Sequence, residues 1–224
     1  MNGYVDLWVR PADLEDGLTS LVWAASEGFT DLVLVCSETR FAQYREAISA
    51  LDLGLSVRRR TAVDLARPAF DRTQVWGDSD VFVQLPGKCD LKQMARVMGE
   101  IARSGFTPVV IGAARAPEVQ RQPELLRYLL NAGAVLCGMA GCAGGKYGSG
   151  CRMAARRIAA LGYYHLFAGY VQDRVSVTGV ARLLEDVRPS WRSTQSELHS
   201  ALVVRPELVL NREKDCGAGE GRRR

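Results

Sequence analysis

The chain has 224 residues, of which 47% are hydrophobic, and this is enough to bury a full core as one domain. Its formal charge of +4 is the balance of 29 basic and 25 acidic residues, and part of the excess lies in the terminal Arg222, Arg223 and Arg224. Such a mixed surface permits a nucleic-acid partner but does not imply one. No apolar run approaches the roughly 20 residues that span a bilayer, so no membrane insertion is expected.

The cysteines and the chain ends indicate the compartment and the domain limits. Six cysteines occur without a Cys-x-x-Cys spacing, and no apolar leader segment stands at the start. We therefore expect reduced thiols, mostly in the core, in a cytoplasmic protein. Residues 1–212 show no linker and are expected to form a single domain, whereas residues 213–224, EKDCGAGEGRRR, are predicted to be a disordered basic tail.

Short β-rich runs alternate with longer helical patterns along the chain. This alternation is typical of βα repeats with parallel strands. Runs such as DLVLV and PVVIG are almost continuously apolar, as strands covered on both faces are. Seven strands are predicted, namely Tyr4–Val9, Asp31–Cys36, Leu55–Arg59, Asp80–Leu85, Thr107–Ile111, Ala134–Met139 and Tyr163–Ala168.

Helices are predicted between these strands. In Leu91–Arg103, apolar residues recur at spacings of three and four, which indicates a helix with one buried face. Gly28, Gly105, Gly133 and Gly162 each follow a helical segment, where a glycine favours the end of the helix and a turn into the next strand. The order of elements therefore predicts about seven βα units.

The segment Gly141–Tyr147, GCAGGKY, is similar to a phosphate-binding P-loop but departs from it at two positions. Ala140 stands where the first glycine is needed, and Tyr147 replaces the required serine or threonine. The segment is therefore predicted to be a structural glycine turn between a strand and a helix.

Cys151 and Arg157 have the Cys-x5-Arg spacing of cysteine-dependent tyrosine phosphatases. That chemistry needs a glycine-rich loop whose backbone amides hold phosphate and lower the pKa of the thiol. Here the intervening RMAAR predicts a helix, so we interpret the spacing as a coincidence. Arg152, Arg156 and Arg157 are predicted to form a solvated basic face, with an anion or RNA surface as the alternative.

The most specific pattern is the run from Pro108 to Gly148, PVVIGAARAPEVQRQPELLRYLLNAGAVLCGMAGCAGGKYG. Its QRQPELL and AGCAGGKYG segments resemble the PHP (polymerase and histidinol phosphatase) superfamily, specifically the manganese-dependent tyrosine phosphatases of bacterial capsule and exopolysaccharide loci. The resemblance covers almost the whole chain. It implies an α/β fold, a distorted seven-unit (βα) TIM-like barrel, with its chemistry at the carboxyl ends of the strands.

The family places histidines and carboxylates at those strand ends, because manganese is bound by imidazole nitrogen or carboxylate oxygen. Carried over strand by strand, the resemblance puts other residues at these positions: Trp8, Arg10, Ser37, Ala62, Gln84, Gly112, Tyr170 and Gln172. The two histidines of the chain lie elsewhere, and His165 is predicted to be a core residue in the middle of a strand. The resemblance therefore implies a degenerate member that holds no metal or other cofactor.

Arginines remain at the predicted strand ends. Arg10, Arg40 and Arg115 are candidates for an anion-binding site, since a guanidinium offers a planar fork of donors to phosphate or carboxylate. The alternative is structural: Arg10 would fill the space left by the metals and form an ion pair with Asp6 or Asp16, because a bare buried arginine is costly.

The resemblance implies a cytoplasmic pseudophosphatase that binds a phosphorylated ligand or partner, such as a bacterial tyrosine kinase or its phosphorylated tail. Two alternatives stay open. One is an active tyrosine phosphatase with a rearranged site, in which Asp16 is the candidate general base, with Glu15 or Glu38 as further carboxylates. The other is an RNA-binding subunit similar to the PHP-like protein of ribonuclease P, although a nucleic-acid partner is not favoured. A homo-oligomer is also open.

Overall fold

Eight parallel strands lie in the part of the chain that the computed structural model describes, residues 4–9, 18–19, 21–22, 25–26, 29–36, 38–60, 62–64 and 80–168. The strands are β1 (Tyr4–Val9), β2 (Phe29–Val35), β3 (Ser56–Arg60), β4 (Ala62–Asp64), β5 (Asp80–Gln84), β6 (Thr107–Ile111), β7 (Val135–Met139) and β8 (Leu166–Ala168). All seven predicted strands are thus confirmed, β1 and β6 with the predicted ends and the other five with shifted ends, and β4 is an addition. Its three residues are too short to give a periodic pattern.

Helices connect the strands. They are α1 (Glu38–Leu51), α2 (Leu91–Arg103), α3 (Pro117–Arg121), α4 (Arg127–Asn131), α5 (Ala140–Gly144) and α6 (Ser149–Ala160), together with the 3-10 turns Ala113–Arg115 and Pro123–Leu126. Gly105, Gly133 and Gly162 have positive φ after helical segments, as predicted, and Gly28 lies outside the described residues. No helix in the described ranges is both long enough and apolar enough to span a bilayer.

The strands form two parallel sheets, ordered β1-β2-β3 and β4-β5-β6-β7-β8. Residues of β1 lie close to β8, and residues of β3 lie close to β5, so the edges of the two sheets approach each other. Among the described residues, however, no strand ladder joins the two sheets into a closed barrel. The α/β class with parallel strands is confirmed, whereas the seven-unit barrel is not.

The core is built on β5, β6 and β7, in which successive residues are buried. Helix α2 covers this sheet with a stripe of Leu91, Met94, Val97, Met98 and Ile101. The helix begins at Asp90, whose carboxylate Oδ1 accepts a hydrogen bond of 2.8 Å from the backbone N–H of Lys92. The predicted limits of α2 are therefore confirmed at both ends.

His165 does not lie in the middle of a strand as predicted, because β8 begins one residue later and the histidine is exposed. Its backbone N–H donates to the Leu136 carbonyl at 2.9 Å, and its ring Nδ1 accepts from the Leu136 N–H at 3.2 Å. The imidazole thus replaces the backbone acceptor that a longer β8 would offer to β7.

Gly138 in β7 is required by a close approach of two aromatic rings. A Cβ at this position would lie 2.5 Å from Cε1 of Phe167 and 3.1 Å from Cε1 of Tyr164. Both rings are buried and their centroids are 4.9 Å apart, so neither has an open direction in which to move. The glycine therefore sets how closely β7 and β8 pack.

We expect Gly138→Ala to lower the free energy of unfolding by about 1–3 kcal/mol, since the added methyl overpacks a filled core. The matched control is Gly99→Ala in α2, where a Cβ would meet nothing within 4 Å. This control should stabilise the protein by about 0.5–1 kcal/mol, because alanine replaces glycine inside a helix. Urea denaturation of both variants measures the difference, and equal effects would contradict the packing argument.

Candidate functional site

The carboxyl edge of the second sheet gathers the loops that follow β5, β6 and β7. Because these strands are parallel and in continuous register, Gln84, Ile111 and Cys137 lie side by side across the sheet. Open parallel sheets bind ligands just beyond this edge. Gln84 and Gly112 therefore lie close together at this edge of the sheet, as the βα pattern predicts.

Gly112 has no room for a side chain. Its φ of 63° is left-handed, and its N–H donates to the Cys137 carbonyl at 3.2 Å. A Cβ here would lie 2.5 Å from Sδ of Met139, a buried side chain at the end of β7. The thioether of Met139 thus occupies the space into which a side chain at position 112 would project.

Arg115 lies just beyond this glycine, at the end of the 3-10 turn Ala113–Arg115, and is half-buried. Its guanidinium carbon is 4.9 Å from the centroid of the Tyr147 ring, a cation–π distance. Gln120 holds the turn in place, because its side-chain amide donates to the carbonyls of Ala114 at 3.1 Å and Arg115 at 3.3 Å. Both the backbone turn that carries Arg115 and the orientation of its guanidinium are therefore fixed by neighbouring side chains.

The segment Gly141–Tyr147, predicted to be a glycine turn, begins with the short helix α5 and turns only at Gly145, which has φ of 89°. The absence of a Cβ at Gly141 lets the Tyr147 ring pack closely, since a Cβ there would lie 3.0 Å from its Cε2. This packing places the ring where it meets Arg115.

Two buried thiols lie beside Arg115. Cys142 in α5 and Cys151 in α6 are each 1% exposed. The interaction with the Cys151 side chain raises the pKa of Cys142, with burial adding to the effect. The same interaction lowers the pKa of Cys151, opposed by burial and assisted by the charge of Arg115. Of the two thiols, Cys151 is therefore the one that ionises more readily.

The Cys-x5-Arg spacing seen in the sequence does not identify the arginine that acts on Cys151. RMAAR is helical, as predicted, and Arg157 lies on the exposed face of α6, where it forms a salt bridge with Glu124. Arg152 and Arg156 are exposed on the same helix. The arginine that acts on Cys151 is Arg115, which is distant in sequence and was missed because only the fold brings the two together.

A groove of about 840 Å³ opens nearby, between the loop after β5, the start of α2, α3 and Tyr128. Lys88 and Lys92 lie on its wall, and Glu118 forms a salt bridge with Arg121 there. The Tyr128 ring has the Lys92 ammonium 5.7 Å and the Arg127 guanidinium carbon 5.4 Å from its centroid. This groove combines an aromatic surface with several cations.

The other predicted site residues are placed as follows. Arg40 is half-buried in the first turn of α1, at the carboxyl edge of the first sheet. Ala62 begins β4 opposite Phe82. Trp8 lies within β1, in the irregular stretch of its ladder with β2. Outside the described residues lie Arg10, Glu15, Asp16, Ser37, Tyr170 and Gln172.

No group of three or more histidine, cysteine, aspartate or glutamate residues that could hold a metal ion occurs in the described ranges.

The architecture is an α/β fold with parallel sheets. It is similar to the structures of YwqE from Bacillus subtilis and CpsB from Streptococcus pneumoniae, metal-dependent tyrosine phosphatases, with a TM-score of 0.72 and 14% identity over 94% of this chain and 92% of theirs. A Xaa-Pro dipeptidase with bound methionine has a TM-score of 0.51 and 12% identity, covering 92% of this chain and 76% of that one. At these identities the likeness concerns the fold alone. No protein-family profile and no curated protein sequence matches the chain.

We expect Gly112→Ala to lower the free energy of unfolding by about 2–4 kcal/mol, from left-handed strain together with the contact on Met139. In a Met139→Ala background the same substitution should cost only about 1–2 kcal/mol, since the strain remains but the contact is gone. A double-mutant cycle by urea denaturation measures this coupling. Identical costs in the two backgrounds would contradict the assignment of Met139 as the occupant of this space.

Proposed function

We propose that this protein is a pseudophosphatase, a PHP-like module that binds a phosphorylated partner through Arg115 and does not hydrolyse it by a metal mechanism. The observation that carries the proposal is the pair of neighbours at the carboxyl edge of β6. Met139 fills the space above Gly112, and the Arg115 guanidinium follows on the next turn. These two neighbours support a cationic site at a strand end where the resemblance implies metal ligands.

Manganese does not fit the side chains at the carboxyl ends of β5 and β6. Gln84 offers a neutral amide, and Gly112 offers no side chain at all. Manganese sites use carboxylate oxygen and imidazole nitrogen instead. A metal that activates water for phosphate hydrolysis would need such donors, so we derive no hydrolytic step here.

The chemistry of Arg115 suits phosphate. A guanidinium can give two parallel hydrogen bonds to an anionic group, and stacking on Tyr147 fixes the plane of that fork. A preoriented arginine loses less side-chain entropy on binding than an unsupported one. Arg10 and Arg40 are the further arginines that we propose for this site.

The groove beside α2 and α3 supports a polypeptide ligand rather than a phosphate ion alone. Helix α3 begins two residues after Arg115, so the groove and the arginine belong to consecutive turns of the chain. Lys88 and Lys92 would favour acidic residues beside a phosphotyrosine. The phosphorylated tail of a bacterial tyrosine kinase is one partner with this chemistry.

The first experiment is hydrolysis of a phosphotyrosyl peptide by the full chain, with and without manganese. We expect no turnover in either condition, because the carboxyl ends of β5 and β6 offer neither a carboxylate nor an imidazole. Manganese-dependent turnover that disappears in Asp16→Ala would overturn the proposal and establish an active phosphatase with a rearranged site.

The second experiment is binding of the same phosphopeptide, followed by calorimetry or fluorescence anisotropy. Arg115→Ala should weaken binding about tenfold or more, because a charge-assisted hydrogen bond contributes roughly 1.5–3 kcal/mol. Arg115→Lys should restore only part of the affinity, since an ammonium lacks the planar fork. The matched control is Arg103→Ala in the last turn of α2, at the opposite edge of the sheet, which should bind like the wild type.

Equal affinity of the Arg115→Ala variant and the wild type, with the fold intact, would refute the role of Arg115. An RNA affinity that exceeds the peptide affinity and falls steeply with salt would instead favour the RNA-binding alternative.

A further inference from the structure

We propose that the groove between the loop after β5, the start of α2 and α3 is a recognition subsite of its own. It takes an acidic peptide segment in which an apolar side chain adjoins a carboxylate, and it binds that segment whether or not a phosphate group is present. The inference rests on the proposed function in taking the ligand to be a polypeptide partner, and its test distinguishes the two.

The groove has an apolar lining. Leu91 is buried, and Leu125, Tyr128 and Cys89 are half-buried along its walls. Its volume of about 840 Å³ lies within the range of about 300–1,000 Å³ that is typical of ligand sites, so it has room for more than one side chain. An apolar side chain that leaves water for this lining contributes favourably to binding.

The charged residues of the groove leave two lysines for a ligand. Asp90 accepts a hydrogen bond of 2.8 Å from the backbone N–H of Lys92, and Glu118 forms a salt bridge with Arg121. Within the described ranges, neither Lys88 nor Lys92 forms a salt bridge. Both lysines are exposed on the groove wall, so their ammonium groups can meet the carboxylate of a ligand.

The Tyr128 ring brings the apolar and the cationic parts of the groove together. Its centroid is 5.7 Å from the Lys92 ammonium and 5.4 Å from the Arg127 guanidinium carbon. A carboxylate that reaches Lys92 therefore lies beside an aromatic ring and two positive charges. The ligand that matches this surface has an acidic residue next to an apolar one.

This lining favours a peptide over a nucleic acid. Proteins that bind single strands stack successive bases on several aromatic side chains. Along the described part of the groove wall, Tyr128 is the one aromatic residue, and the other apolar residues are Leu91, Leu125, Pro117 and Cys89. Such a surface offers apolar packing for a side chain rather than a series of stacking platforms.

One peptide can occupy the groove and Arg115 together. Helix α3, which forms one wall, begins two residues after Arg115. Two contacts on one chain reinforce each other, because binding at the first raises the effective concentration at the second. A phosphorylated partner should therefore bind more tightly than either contact alone allows, while the unphosphorylated partner keeps the groove contact.

The experiment measures the binding of four fluorescent peptides to the full chain by anisotropy. The peptides carry either phosphotyrosine or phenylalanine, flanked on both sides by either Glu-Leu or Gln-Ala pairs. We expect Gln-Ala to weaken binding about tenfold in both cases, since it removes the carboxylate and most of the apolar side chain. The phenylalanine peptide with Glu-Leu should still bind, and its affinity should fall with salt, which screens the lysines.

Lys92→Glu tests the groove from the protein side. It should weaken binding of the Glu-Leu peptides about tenfold and leave the Gln-Ala peptides unchanged, because only the former bring a carboxylate to this position. The variant should fold, since the backbone N–H of residue 92 still donates to Asp90 and a glutamate is favoured in the first turn of a helix. The matched control is Arg96→Glu, an exposed cation one turn further along α2 and outside the groove, which should bind like the wild type.

The outcomes separate this subsite from the proposed function. Equal binding of the Glu-Leu and Gln-Ala peptides, or of Lys92→Glu and the wild type, would overturn the subsite and leave Arg115 as the phosphate site. Phosphotyrosine affinity that survives Arg115→Ala but is lost in Lys92→Glu would overturn the proposed function and keep the subsite. An RNA oligonucleotide that binds more tightly than every peptide, and loses its affinity in Lys92→Glu, would overturn the assignment to a peptide.

Discussion

The parallel ladder of β5, β6 and β7 is the constraint on which the candidate site depends. Hydrogen bonds in continuous register align the carboxyl ends of these strands, so that the loops after them must share one edge. Burial on both faces holds the strands in place, since any shift along the ladder would move apolar side chains out of the core. Arg115, Tyr147 and the two thiols take their positions from this alignment.

At the carboxyl edge of this sheet, the packing of Met139 against Gly112 determines which residues fit at position 112. A residue with a side chain at position 112 would have to displace a buried thioether and adopt a strained left-handed conformation. Glycine at this strand end therefore gives an apolar contact with Met139 in place of a side chain that could bind a ligand.

The strands and α2 could be predicted because each has a strong local signal, continuous apolar residues in one case and a spacing of three and four in the other. The strand β4 and the division into two sheets could not be predicted. A short strand carries little periodic pattern, and the pairing of strands is not encoded in the local sequence. His165 was misplaced because its ring takes over a backbone hydrogen bond, which no periodicity reveals.

Arg115 takes its orientation from two neighbouring residues, Gln120 and Tyr147. Gln120 holds the turn that carries the arginine, and the guanidinium stacks on the Tyr147 ring, which packs closely because Gly141 has no Cβ. A guanidinium oriented in this way loses less freedom on binding an anion than an unsupported one does. The GCAGGKY segment therefore contributes to the proposed anion site by packing against Arg115, not by forming a phosphate-binding loop of its own.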